Sequence, residues 1–182
     1  MIACIGRLRT ILFMFAALSC GVAFAQAPSW EQLMSAGVRA YRQGDFDGAL
    51  DAFGLARDMA EGLPEGDPRL RESLFSVGRV LAQRGRAEEA EAALRRAIAL
   101  EEKALGPDHP EVATSINLLA ETLGLRRDYA KAEPLFLRAL AIRERALGPE
   151  HPDVAAVLTN LGTLYRFQGR FTTAEPYYRR AL

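Results

Sequence analysis

Apolar residues recur along this chain at every third or fourth position, which is the period of an α-helix. One such run begins after Pro110 and has its apolar positions at Val112, Ile116, Leu119 and Leu123. The next run predicts a helix from about Tyr129 to Ala146, with a buried side made of Ala132, Leu135, Phe136, Ala139, Leu140 and Ile142. No segment shows the convincing alternation of apolar and polar residues that marks a strand. The pattern therefore predicts an all-α chain.

The helical pattern repeats with a period of 42 residues. Two segments align without a gap and are identical at 14 of 36 positions: LGPDHPEVATSINLLAETLGLRRDYAKAEPLFLRAL from Leu105 and LGPEHPDVAAVLTNLGTLYRFQGRFTTAEPYYRRAL from Leu147. A period of this length is typical of repeat proteins, in which similar units of secondary structure stack on one another. We expect such a stack to present a surface that holds a partner.

Glycine and proline mark the breaks between the predicted helices. Gly106 can end a helix in a left-handed conformation, and Pro107 cannot continue that helix. Pro110 suits the first turn of the next helix, where its missing N–H costs nothing. Two other prolines, Pro134 and Pro176, conflict with this pattern because they lie several residues inside predicted second helices. They predict either a slight kink or a later start of those helices.

Small residues recur where the two helices of a unit must approach closely. They lie in the first helices at Gly37, Gly78, Ala120 and Gly162, and in the second helices at Ala49, Ala90, Ala132 and Ala174, and again at Ala56, Ala97, Ala139 and Ala181. Large residues stand between the two rows of alanines, at Phe53, Leu94, Phe136 and Tyr178. A glycine inside a helix costs up to about 1 kcal/mol relative to alanine. Its recurrence in three units therefore indicates close packing.

This arrangement of small and large residues resembles the tetratricopeptide repeat. The period of 42 residues and the linker Leu-Gly-Pro-Glu-His-Pro are similar to its kinesin-light-chain-like variety. The resemblance extends from Trp30 to Leu182 and implies an all-α fold, a right-handed α-solenoid of about four antiparallel helix pairs. The repeat array would occupy residues 26–182, with units at about 30–61, 69–104, 111–146 and 153–182.

In the family that this chain resembles, the first helices line the concave side of the solenoid, which implies a groove for a peptide or protein partner. The helical period selects the residues that would face this groove: Met34, Val38, Tyr41, Phe75, Arg79, Asn117, Glu121, Leu125, Thr159, Thr163, Arg166 and Phe167. The alternative is that these residues form ordinary helix surface.

The resemblance carries over to individual groove residues only in part. Similar repeats often have, at the position of Asn117, an asparagine that hydrogen-bonds a peptide backbone. In the next unit Thr159 replaces it, and Asn160 follows one residue later. The residues that clamp a C-terminal carboxylate in chaperone-binding members are not reproduced, because Met34 and Val38 are apolar.

The first 25 residues differ from the rest and contain no Asp or Glu. Arg7 and Arg9 precede the apolar run Ile11 to Leu18, and Ala23-Phe24-Ala25 has the small-x-small form of a cleavage site. Residues 1–25 are therefore predicted to be a secretory signal peptide, and the mature protein to be periplasmic or secreted. The apolar run is shorter than the roughly 20 residues of a membrane span, so a membrane is a partner only if the segment remains uncleaved as an anchor. Lipidation of Cys20 is a weaker alternative, since the residues before it depart from the usual motif.

Composition argues against several classes of function. The 23 basic and 23 acidic residues balance, so no positive excess indicates a nucleic-acid partner. Cys4 and Cys20 both lie in the predicted signal peptide, so the mature chain would have no disulfide and no thiolate chemistry. The motifs of common catalytic and cofactor sites are missing, and we expect neither enzyme activity nor a cofactor.

His109 and His151 occupy equivalent linker positions, one period apart. Two histidines in neighbouring repeats could bind a metal. The favoured interpretation is that they shape the start of the next helix, because each is alone in its linker and no cysteine remains to complete a zinc site.

A second hypothesis concerns the C-terminal end of the array. Repeat arrays normally end in a polar capping repeat, whereas the last helix pair contains Leu158, Leu161, Leu164, Tyr177, Tyr178 and Leu182. Some of these residues are expected to form an exposed apolar face. The protein would then be a structural or regulatory repeat fragment that self-associates through this end, or that serves a separate or missing catalytic domain.

Overall fold

The computed structural model describes residues 27–64 and 66–182, and the predicted signal peptide lies outside these ranges. Within them the chain forms eight α-helices and no strand. The helices are α1 (Trp30–Arg42), α2 (Phe46–Ala60), α3 (Pro68–Gln83), α4 (Ala87–Leu105), α5 (Pro110–Leu125), α6 (Tyr129–Leu147), α7 (Pro152–Phe167) and α8 (Phe171–Arg180). The prediction of an all-α chain with four helix pairs is therefore confirmed. In this part of the chain, no helix is both long and apolar enough to cross a bilayer.

Each helix packs against the next one along the chain, from α1 on α2 to α7 on α8. The backbone of α1 also approaches α3, that of α3 approaches α5, and that of α5 approaches α7. The second helices of neighbouring pairs do not approach each other in this way within the described ranges. Because the first helices lie closer together than the second helices, they form the concave side of the stack.

The last two linkers place a histidine directly before each first helix. Nδ1 of His109 accepts a hydrogen bond from the backbone N–H of Glu111 at 3.2 Å. Nδ1 of His151 accepts one from the N–H of Asp153 at 3.1 Å. Each histidine thus caps its helix by satisfying an N–H that has no partner inside the helix. Among the described residues, no three His, Cys, Asp or Glu side chains are grouped so that they could hold a metal ion.

Pro134 and Pro176 lie inside α6 and α8, five residues after the first residue of each helix. The expected later start of these helices is therefore wrong. A proline at this depth leaves one backbone carbonyl without its helical N–H partner, which is the carbonyl of Ala130 in the case of Pro134. Ala130 is exposed, so water can hydrogen-bond this carbonyl and the helix can continue past the proline.

The two helices of a unit approach closely at the recurrent glycines. A Cβ atom added to these glycines would lie only 2.5–2.8 Å from a side-chain carbon, for Gly37 with Phe53, Gly78 with Leu94 and Gly162 with Tyr178. Such distances are far shorter than a normal carbon contact of 3.5–4.0 Å. Glycine therefore lets the large residue of the second helix pack directly against the backbone of the first. In the third unit Ala120 holds this position and is fully buried, so its methyl is accommodated there.

Buried apolar residues fill the space between successive helices along the whole stack. The larger cluster runs from Leu94 in α4 to Ala174 in α8, and a smaller one joins α2, α3 and α4 around Phe53. The predicted buried side of α6 is confirmed except at Leu135, which is only partly buried. Each helix pair thus buries its apolar surface against the next pair, as expected of a solenoid.

Ion pairs connect the second helices across the wider, convex side. Arg138 of α6 binds Glu102 of α4 at 2.7 Å. One period earlier Arg96 binds Glu61, and one period later Arg180 binds Glu144. Exposed ion pairs of this kind contribute about 0–1 kcal/mol each. Their regular spacing shows that long arginine side chains span the gap between second helices whose backbones do not touch.

Glu101 is the one acidic residue buried among the described positions, and it lies between α4 and α5. The hydroxyl of Ser115 donates a hydrogen bond to its Oε1 at 2.8 Å, whereas its Oε2 is buried without a partner. Burial raises the pKa of the Glu101 carboxyl above its usual range, because the charged form loses its hydration. The folded chain therefore carries an energetic cost at pH values where this carboxyl is ionised.

Replacement of Gly78 by alanine is expected to lower the free energy of unfolding by about 1–3 kcal/mol, because the methyl would overlap the buried side chain of Leu94. Gly54 is the matched control, since it also lies inside a helix but an added Cβ would meet no atom within 4 Å. Gly54→Ala is expected to raise stability by up to about 1 kcal/mol through helix propensity alone. Urea unfolding measures both changes, and equal effects would contradict the packing explanation.

Replacement of Glu101 by glutamine is expected to stabilise the protein near pH 7. A carboxyl whose pKa is raised in the folded state makes stability fall as pH rises from the unfolded pKa, near 4.3, through the folded pKa. Glutamine does not titrate, so the melting temperature of the Glu101→Gln variant should exceed that of the native chain at pH 7 to 8. This difference should vanish toward pH 4. Each kcal/mol corresponds to about 2–4 °C in a chain of this size.

Thermal unfolding followed by circular dichroism between pH 4 and pH 8 measures this difference. Glu150→Gln is the control, because Glu150 is exposed and its replacement removes the same charge without relieving the burial of a carboxyl. A Glu101→Gln variant that is less stable than the native chain at every pH would refute the assigned cost of burial.

Candidate binding groove

The residues predicted to face the groove lie on α1, α3, α5 and α7. Most of them are partly buried, namely Met34, Val38, Tyr41, Phe75, Arg79, Asn117, Glu121 and Thr163. Thr159, Arg166, Leu125 and Phe167 are exposed. The structure brings some of these residues together in two groups, one around Arg79 in the first half of the stack and one around Glu121 in the second half.

Arg79 is held by aromatic rings in the first half of the groove. Its guanidinium carbon lies 4.7 Å from the ring centre of Tyr41 on α1 and 5.8 Å from that of Phe75, its neighbour on α3. A cation over an aromatic face gains about 0.5–2 kcal/mol, depending on its exposure to water. Arg79 has no carboxylate partner in the described part of the chain, and its Nε is buried without a hydrogen bond. The positive charge of Arg79 is therefore not neutralised by an acid within the protein.

Amide and carboxylate groups form a hydrogen-bonded network in the second half. The side-chain amides of Asn117 on α5 and Asn160 on α7 both donate to Oε1 of Glu121, each at 2.7 Å. Asn160 also donates to Oδ1 of Asn117 at 3.3 Å. This network connects two neighbouring repeats. Thr159 takes no part in it, because its hydroxyl donates to the backbone carbonyl of Ala155 in its own helix.

A cleft with a volume of about 470 Å³ lies between the third and fourth helix pairs, and Glu121 and Asn160 line it. Its other lining residues are Gly124, Leu125, Arg127, Tyr129, Phe136, Thr163, Leu164 and Phe167. Leu125 and Phe167 occupy equivalent positions one period apart and are 78% and 60% exposed. The cleft thus combines strongly exposed apolar side chains with a polar network.

The side chains around the cleft are positioned by contacts with the second helices and with their own neighbours. The hydroxyl groups of Thr163 and Tyr178 are hydrogen-bonded at 3.1 Å, which ties α7 to α8 next to the cleft. The guanidinium carbon of Arg166 lies 4.8 Å from the ring centre of Phe167. Arg166 therefore covers one face of the exposed ring and leaves the other face accessible.

Six of the ten cleft residues were not among the predicted groove residues, and three of these six are Asn160, Arg127 and Tyr129. Asn160 was noticed only as a neighbour of Thr159, although an amide side chain inside a predicted first helix was a usable signal. Arg127 lies in the turn before α6, and Tyr129 is the first residue of α6. Both lie outside the first helices, from which the groove residues were predicted. The helical period alone could not select them, because the turn does not follow that period.

Comparison with known proteins shows the same architecture. The sequence model of the tetratricopeptide repeat family matches residues 33–103, 71–145 and 117–182. The crystal structure of BtubC (BKLC) from P. vanneervenii is similar, with a TM-score of 0.74 and 26% identity over 83% of this chain and 60% of BtubC. Repeats described as nearly identical and TPR-like, in a kinesin light chain candidate from Podosopora anserina, give a TM-score of 0.74 with 21% identity, over 83% of this chain and 72% of that one.

A more distant similarity is found to the apo form of RapI, with a TM-score of 0.65 and 18% identity over 84% of this chain and 41% of RapI. At 21% and 18% identity, the Podosopora anserina protein and RapI show a shared fold and nothing further. No curated protein sequence matches this chain.

The family match spans most of the chain, and the solved structures share its kinesin-light-chain-like helical repeats. Repeats of this kind generally form non-catalytic scaffolds that mediate contacts between proteins. The chain therefore belongs to the tetratricopeptide repeat family.

Proposed function

We propose that this protein is an exported scaffold that holds a peptide, or an extended segment of another protein, in its concave groove. The observation that carries this proposal is the cleft between the third and fourth helix pairs, where Leu125 and Phe167 are strongly exposed beside a polar network. An apolar side chain of this size gains about 1.5–3 kcal/mol when a partner removes it fully from water. A partner that covers both side chains would therefore gain several kcal/mol of binding free energy from them.

The polar network supports a peptide as the partner. Asn117 donates one N–H to Glu121, which leaves its second N–H without a partner among the described residues. Asn160 uses both of its N–H groups, and its Oδ1 remains available as an acceptor. One free donor and one free acceptor match the C=O and N–H of a peptide backbone. The network is thus able to bind main chain while the apolar residues bind a side chain.

The charges in the groove support a protein partner over a nucleic acid. The carboxylate of Glu121 lies in the cleft and would repel a phosphate backbone. The chain as a whole has no excess of positive charge. Arg79 adds a second contact region in the first half of the groove, where its guanidinium lies against the rings of Tyr41 and Phe75.

Replacement of Leu125 and Phe167 together by serine is expected to weaken peptide binding at least tenfold. The probes are peptides selected from a random library of 12-residue sequences against the full chain. Loss of one apolar contact of about 1.4 kcal/mol already corresponds to a tenfold change in affinity. Isothermal titration calorimetry measures the affinities, and circular dichroism shows whether helicity is kept, as expected for exposed positions.

The matched control replaces Leu55 and Met59, which are also exposed apolar residues but lie on α2, away from the groove. Serine at these two positions should leave the affinity unchanged. Unaltered binding by the Leu125/Phe167 variant, or a loss confined to the Leu55/Met59 variant, would refute the groove as the binding site.

The proposal that the protein is exported is supported by residues 1–25, which have the basic, apolar and cleavage-site regions of a signal peptide. Cleavage after Ala25 would make Gln26 the first residue of the mature chain. Intact-mass measurement of the protein recovered from the cell envelope or the medium is expected to give this shortened mass. Ala25→Phe, which places a bulky side chain at the cleavage site, is expected to leave the full-length chain attached to the membrane.

Ala27→Phe is the control, because it introduces the same residue beyond the cleavage site and should be processed normally. Recovery of the native chain at full length from the membrane would support the uncleaved anchor instead. Its recovery from the cytoplasm would exclude export.

The alternative hypothesis of self-association through the last helix pair remains a prediction. Leu158, Leu161 and Leu164 are buried within the stack, which removes them from any exposed apolar face. Phe171 and Leu182 are exposed on and after α8, and they would have to provide such a contact.

A further inference from the structure

The turn between the two helices of each unit has the same backbone shape in all four units. The N–H of the second helix's capping residue donates to the carbonyl five residues earlier, at 2.9 Å each time, as in Asp128 to Leu123. The preceding residue is left-handed in every case, with φ values of 77°, 71°, 64° and 75° at Gly44, Gly85, Arg127 and Gly169. Three units thus use glycine where the turn requires a positive φ, and the third unit uses arginine.

Arginine is an unfavourable residue for this conformation. The left-handed region brings the Cβ atom close to backbone oxygen, and only glycine, or to a lesser degree Asn and Asp, adopts it readily. Arg127 is the only non-glycine residue with a positive φ in the described part of the chain. The third turn therefore carries a local strain that the other three avoid.

The side chain of Arg127 does not compensate for this strain within the protein. It forms no hydrogen bond, ion pair or ring contact with any described residue. Its neighbour Arg126, by contrast, binds Glu91 at 3.0 Å and Glu88 at 3.3 Å. The other groove arginines also have partners, since Arg79 and Arg166 lie over aromatic rings. Arg127 alone among these combines an unfavourable backbone with an unengaged guanidinium.

Arg127 lines the cleft between the third and fourth helix pairs, together with Leu125 and Tyr129. Glu121 lies in the same cleft but is bonded to Asn117 and Asn160, and it makes no ion pair with Arg127. The guanidinium is therefore free to bind a group that enters the cleft. Its planar set of N–H donors matches a carboxylate, which it can bind through two parallel hydrogen bonds.

We propose that Arg127 is a specificity-determining residue that binds a carboxylate of the peptide held in the cleft. This inference rests on the proposed function of the groove. Backbone strain persists where the surrounding structure enforces it, and it concentrates at binding sites. The charge of Arg127 at the cleft explains why an arginine stands at this turn, whereas Gly44, Gly85 and Gly169 stand at the other three.

The first part of the test measures strain without any ligand. Arg127→Gly is expected to raise the melting temperature by about 2–4 °C, since it restores the residue that the other turns use. Gly85→Arg is the reciprocal control, because Gly85 has a φ of 71° and an added Cβ would meet no atom within 4 Å. This substitution is expected to lower the melting temperature by a similar amount. An Arg127→Gly variant that is less stable than the native chain would overturn the strain argument.

The second part measures recognition with 12-residue peptides selected from a random library on the native full chain. We expect those that bind the cleft to contain Asp or Glu, and replacement of that residue by Asn or Gln to weaken binding at least tenfold. Arg127→Gly should cause the same loss for the acidic peptide and no further loss for the amide peptide. Arg127→Lys should keep part of the affinity, and Gly85→Arg should keep all of it.

The outcomes separate this inference from the proposed function. If Arg127→Gly binds the acidic peptide as tightly as the native chain, or if the amide peptide loses nothing, the role of Arg127 is wrong and the groove remains. If amide chemical-shift changes on titration with the peptide fall on α2 and α4 and spare α5 and α7, the groove itself is wrong, and the role of Arg127 fails with it.

Discussion

The rest of this structure depends on the close crossing of the two helices in each unit. At Gly37, Gly78 and Gly162 the backbone of the first helix lies directly against a large side chain of the second. The missing Cβ lets Phe53, Leu94 or Tyr178 fill the space that a side chain would otherwise occupy. The contact recurs in three of the four units, and Ala120 holds the position in the third unit.

The four similar pairs then stack, and the side on which neighbouring pairs lie closer together becomes the groove. The first helices approach each other at the backbone, whereas the second helices are joined only by long side chains such as Arg138 to Glu102. Backbone proximity on one side and arginine bridges on the other curve the stack. The curvature brings Asn117 and Asn160, which lie on different repeats, to the same carboxylate. The groove thus results from the way in which the helix pairs pack and stack.

Local energetic costs occur at single residues that are not repeated from unit to unit. Oε2 of Glu101 and Nε of Arg79 are both buried without a hydrogen bond. Arg127 has a backbone conformation that favours glycine. The equivalent positions in other units hold residues that avoid these costs, such as Ala60, Val38 and Gly85. The repeating contacts provide a stable frame, and within that frame individual positions can depart from the pattern.

The sequence by itself determined the helices, their period, the glycine crossings and the prolines that open the first helices, because these features depend on neighbours along the chain. It also indicated that His109 and His151 shape helix starts, which the hydrogen bonds to Glu111 and Asp153 show directly. Only the tertiary structure decided that α6 and α8 continue through their prolines, that Asn160 rather than Thr159 joins the polar network, and that Arg127 lines a cleft. Those outcomes depend on side chains from different repeats and on the conformation of a turn, and neither follows a helical period.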